Sequence, residues 1–181
     1  MNKKFLTVLV ASAAALVVAC TPTRTQKTAG EQVDDSSITA KVKSELLRDS
    51  KTNGMAIDVE TRRGTVQLNG FVPSAEMKSE AGRVARRVDG VRTVDNNLQV
   101  STEKRTAGEY VDDTVITAKV KAALIGNDET KARDINVQTR EGVVQLSGFV
   151  DSSAQKSEAT RVAQDVGGVK RVVNDLTVKR M

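Results

Sequence analysis

The sequence predicts an α+β fold of two tandem domains, each ordered α-β-β-α-β, with a three-stranded mixed sheet packed against two helices. Three observations predict it. Residues 29–100 overlay residues 107–178 at a constant offset of 78 without insertion, and about 40 of the 72 pairs are identical. Within each copy the apolar spacing switches between four residues, the period of a helix face, and two, the period of a strand. Gly64 and Gly142 stand at equivalent polar breaks between two alternating runs, where a hairpin turn needs a residue tolerant of positive φ.

The elements follow in order. Asp34 and Asp35 are expected as N-caps of the first helix, whose positive end favours acidic side chains. Ile38, Val42 and Leu46 then form its core stripe. Ile57 and Val59 alternate with Asp58 and Glu60, and Val66 and Leu68 with Gln67 and Asn69, the pattern of half-buried strands. Ser74 caps the second helix, which lines Met77, Ala81, Val84, Ala85 and Val88 along one face and ends at Gly90. Val94 to Val100 is the third strand. Residues 101–106 form a short polar connection, and the order repeats in residues 107–178.

Residues 1–19 have the three parts of a secretory signal: a charged start with Lys3 and Lys4, an apolar run from Phe5, and small Ala19 before the single cysteine. The run of roughly 15 residues is short for a spanning helix, which needs about 20. Val17-Val18-Ala19-Cys20 resembles the lipobox of bacterial lipoproteins, in which the cysteine becomes the acylated N-terminus. That resemblance implies lipidation at Cys20, a tether over residues 20–28, and, with Thr21 rather than Asp next, the outer membrane, facing the periplasm. Several acyl chains on one residue exceed what stable anchoring needs.

The formal charge of +5 falls to +3 without Lys3 and Lys4. Residues 29–100 hold eleven Lys/Arg against eleven Asp/Glu, and residues 107–178 hold nine against eleven. The excess lies in tether, connection and tail, so a basic face for nucleic acid is not indicated. Trp is absent and aromatic residues are few, which removes stacking platforms as well.

Catalytic constellations are also missing. The chain has no His, and its one Cys is the acylation position. Asp34-Asp35 and Asp112-Asp113 are adjacent pairs preceding helices; such neighbours do not face one another across a substrate. Glycines 64, 70, 142 and 148 match no phosphate loop. The expectation is a non-catalytic protein without metal or cofactor.

Asp-Asp-x-x-Ile-Thr-x-x-Val, Gly-x-Val-x-Leu-x-Gly-x-Val and Gly-Val-x-x-Val-x-Asn-x-Leu resemble the BON domain of bacterial osmotically induced and nodulation proteins. They lie at Asp34 to Val42, Gly64 to Val72 and Gly90 to Leu98, and again at Asp112 to Val120, Gly142 to Val150 and Gly168 to Leu176. One departure is Val173-Asn174-Asp175 in place of Asp95-Asn96-Asn97. The resemblance implies an envelope-maintenance lipoprotein, some of whose kind bind anionic phospholipid; relatives without the anchor resemble osmotic-stress proteins of the periplasm.

One surface stands out between the copies. On a helical wheel with Ile116 at zero, Val115, Ala118 and Ala122 fall at roughly 200° to 260°, opposite the core stripe. The first copy has Ser37, Ala40 and Ser44 there. Lys119 and Lys121 flank the strip, which suits contact with lipid phosphates, or packing against the other domain. It lacks the Trp or Phe that usually sit at headgroup level.

Overall fold

The computed structural model describes residues 29–52, 57–102, 106–130 and 134–179. The segment expected as a secretory signal, residues 1–19, Cys20 and the expected tether, residues 20–28, lie outside them. The first helix, α1 (Ala29–Arg48), begins five residues ahead of Asp34. The two aspartates are therefore inside the helix, which corrects the capping assignment. Asp35 shares the inward stripe with Ile38, Val42 and Leu46, and all four are buried. After the helix, buried Thr52 donates its hydroxyl to the Leu46 carbonyl at 2.5 Å, closing the C-terminal turn.

Strands β1 (Ile57–Arg62) and β2 (Thr65–Val72) pair antiparallel, from Ile57 opposite Gly70 to Arg62 opposite Thr65. Arg63 and Gly64 between them have φ of 49° and 76°, the two positive values of a primed hairpin turn. Helix α2 (Ala75–Arg86) starts on Ser74, whose Oγ accepts the Met77 N–H at 3.1 Å. It stops at Arg86, four residues before Gly90, and Gly90 serves the following turn at φ 93°.

The third strand is interrupted, β3 (Thr93–Asn96) and β4 (Gln99–Val100), though both run parallel to β2 in one register. At the break the Asn97 carbonyl accepts from Gln145 of the other domain at 2.9 Å. The second domain repeats the order with α3 (Ala107–Ile125), β5 (Ile135–Arg140), β6 (Val143–Val150), α4 (Ser153–Gln164) and an unbroken β7 (Arg171–Val178). Here α3 is capped by Thr106, whose hydroxyl accepts the Glu109 N–H while the Glu109 carboxylate accepts the Thr106 N–H, a capping box.

Each domain has its own aliphatic core, one around Val42, Leu46, Leu68 and Leu98, the other around Val120, Leu124, Leu146 and Leu176. The helices cover one face of each sheet. The other face of β2 is not solvated: Gln67 and Asn69 are buried, as are Gln145 and Ser147 on β6. This departs from the half-buried pattern, because the two sheets lie against each other there. Gln67 Oε1 accepts the Gly148 N–H at 3.0 Å, and Gln145 Oε1 accepts the Gly70 N–H at 2.7 Å. Gln67 Nε2 donates to Thr177 Oγ1 at 2.7 Å, and Gln145 Nε2 to Asp175 at 2.8 Å. Gly70 and Gly148 have φ of 120° and 117°, a conformation that favours glycine.

Candidate functional site

Helix α3 turns Asp113, Ile116, Val120 and Leu124 inward. Its outer side carries the sequence-selected residues: Val115 is 45% exposed, and Ala118, Lys119, Lys121 and Ala122 are all exposed. Among the described residues, the other domain does not pack on them. Its contact runs through the sheet faces, so packing as the strip's role is overturned. Two further apolar side chains extend the same line, Val111 at 59% and Ile125 at 74% exposed. At 100° per residue Val111 falls near 220°, within the strip, and Ile125 near 180°, at its edge, with exposed Tyr110 further round near 120°.

The complete line is Val111, Val115, Ala118, Ala122 and Ile125, spaced 4, 3, 4 and 3 along the helix. At 1.5 Å per residue it runs about 20 Å. Val111 and Ile125 were legible in that spacing, but the comparison of copies missed them, because Val33 and Leu47 make the corresponding positions apolar in both. Lys119 and Lys121 lie near 300° and 140°, one on each side. Lys119 also reaches a cleft of about 290 Å³ that it shares with Asp112, Glu141 and Lys170. At the helix start the hydrogen bonds from Thr106 hold the Glu109 carboxyl below its usual range.

The carboxylate pairs divide their work in a way that adjacency in sequence does not show. Asp34 and Asp112 are exposed, whereas Asp35 and Asp113 are buried. Asp113 accepts the backbone N–H of Glu141 at 2.9 Å and of Gly142 at 3.0 Å, the two residues of the β5–β6 turn. Asp35 does the same for Arg63 at 2.8 Å and Gly64 at 3.0 Å. These carboxylates clamp each hairpin turn to the first helix of its domain. Turn N–H groups held at positive φ cannot join the ladder, and a buried carboxylate satisfies them.

Among the described residues, no group of three or more His, Cys, Asp or Glu is placed to hold a metal ion, and no helix is long and apolar enough to cross a membrane.

The chain is 43% identical over 151 residues to osmotically-inducible protein Y of Escherichia coli, covering 83% of this chain and 75% of that one. It is 32% identical to the outer membrane lipoprotein DolP of Haemophilus influenzae, covering 81% and 76%. It is 34% identical to a 21 kDa hemolysin of Actinobacillus pleuropneumoniae, covering 81% and 75%. The BON domain model matches residues 34–102 and 112–180, each copy spanning a helix, a clamped hairpin, a second helix and a closing strand region. The chain therefore belongs to the BON-domain family and carries the domain twice.

Proposed function

We propose that this protein is a non-catalytic lipoprotein, anchored through Cys20 to the periplasmic face of the outer membrane, that supports envelope integrity by binding anionic phospholipid through the second BON domain. The observation that carries the reading is the uncovered apolar line on α3 with a lysine on each side. Apolar side chains enter the headgroup boundary while the lysines meet phosphate. The lipobox-like Val17 to Cys20 and the likeness to an outer membrane lipoprotein support the location. The outer membrane's inner leaflet is then the surface within reach of the domain.

The test is co-sedimentation of the polypeptide from Thr21 onward with vesicles of anionic or zwitterionic phospholipid. Retention on the anionic vesicles is expected; equal absence from both removes the lipid role. A second reading, a periplasmic protein-interaction or osmotic-protection module, draws on the 43% identity to an osmotically inducible protein. Periplasmic crosslinking that captures defined envelope proteins, with no lipid preference in the vesicle assay, favours it.

A further inference from the structure

The two domains differ where they face each other. Asp58 and Glu60 on β1 have Asn136 and Gln138 as their counterparts on β5. Across the seam Asn136 donates its amide to Asp58, and Gln138 Nε2 donates to the same carboxylate at 3.5 Å. Acid thus meets amide, where a second copy of the acidic sequence would set carboxylate against carboxylate. A β-carbon added to Gly148 on β6 would stand 3.1 Å from the Glu60 carboxylate, so Glu60 reaches into the other domain.

Glu60 is surrounded by Asp58 on its own strand, Asp134 and Asn136 from the second domain, and Lys43 from α1. Lys43 lies 3.9 Å from Asp58. Asp134 is paired with Lys179 at 3.2 Å, and Lys179 also pairs with Asp151 at 2.8 Å. Around Glu60, one half-committed lysine and one shared lysine therefore stand against the three carboxylates of Asp58, Glu60 and Asp134. Burial first, then the charges of Asp58 and Asp134, push the Glu60 carboxyl from 4.5 up to about 7, against the pull of the Asn136 hydrogen bond and Lys43.

We infer that the contact between the two domains is a proton-operated clasp: protonated Glu60 keeps the two sheets docked, and ionised Glu60 adds a third negative charge beside Asp58 and Asp134 and favours their release. The docked state holds this proton more tightly than water-exposed Glu60 does. Docking is therefore strongest below about pH 4.5 and is lost as pH rises through about 7.

Hydrogen exchange on the polypeptide from Thr21 onward reads the clasp directly. The Gly148 and Gly70 amides donate to the opposite domain's glutamines, whereas the Val42 and Val120 amides report the two cores. Between pH 5 and pH 8, after correction for intrinsic exchange, protection at Gly148 and Gly70 is expected to fall on the order of 50-fold. Val42 and Val120 should hold. In Glu60→Gln the two glycines should stay protected across the range, and Gln138→Glu should loosen them further at pH 8. A wild-type profile without the fall, the same fall in Glu60→Gln, no loosening in Gln138→Glu, or core amides falling in step would each overturn the clasp.

Discussion

Gln67 holds the backbone N–H of Gly148 at 3.0 Å from the opposite domain, and its counterpart Gln145 holds Gly70 at 2.7 Å. Both glutamines are buried, so the contact is a reciprocal pair of satisfied polar groups between the two sheets. Truncating one glutamine orphans a buried N–H, which costs about 1–3 kcal/mol. Gln67→Leu is expected to lower stability by about 2 kcal/mol in urea unfolding. It should also expose Gly148 to exchange ahead of the Val120 core. A change of only a few tenths of a kcal/mol would mean that the seam carries no weight in solution.

Asp112 and Asp113 are adjacent, yet their substitutions should separate. Asp113→Ala leaves the Glu141 and Gly142 amides without their acceptor and should cost about 2–3 kcal/mol, since each is a charge-assisted bond. Asp112→Ala, at an exposed position, should stay within about 0.5 kcal/mol. Thermal melts of the two variants decide it, and equal losses would contradict the turn clamp.

Glycine replacement should divide in the same way. At Gly148, φ is 117° and an added β-carbon would come 2.1 Å from the Asp134 carbonyl oxygen. Gly148→Ala should therefore destabilise by more than about 2 kcal/mol, combining backbone strain with a clash against main chain. Gly126 ends α3 at φ −74°, with its nearest contact at 3.4 Å, so Gly126→Ala should be neutral or stabilise by up to about 1 kcal/mol. Chemical denaturation of the pair is the measurement.

On the outer face of α3, Val115→Asp and Ile125→Asp place charge on the apolar line, at one side chain 74% exposed, Ile125, and one 45% exposed at the border of the Lys119 cleft, Val115. The melting temperature should stay within a degree or two while retention on anionic vesicles is lost. Lys119→Glu and Lys121→Glu should each weaken that retention by about fivefold or more, from roughly 1 kcal/mol per basic residue near an anionic surface. Retention unchanged in all four variants would move the binding surface elsewhere.

The repeat and the element order were legible because periodicity is a local property. Val42 sits in its stripe, and Ser74 caps its helix, whatever lies beyond them. The exposed strip could be located but not given a role, since a helical wheel identifies which residues share a side and is silent on what covers that side. The Asp-Asp pair was misread for a related reason. Its local spacing suits a cap, while the partner of Asp35 is a turn 28 and 29 residues further on.

By itself the sequence determined two gapless copies of one domain, the hairpin with its Gly64 and Gly142 turns, and the inward faces of the helices. Only the tertiary structure decided that Gln67 and Asn69 are interior, that Asp35 and Asp113 bind turns rather than helix ends, and that the apolar line on α3 is left uncovered. The physical reason is range. Helix and strand periods arise from neighbours a few bonds away, whereas the burial of a polar side chain depends on which distant surface arrives to satisfy it.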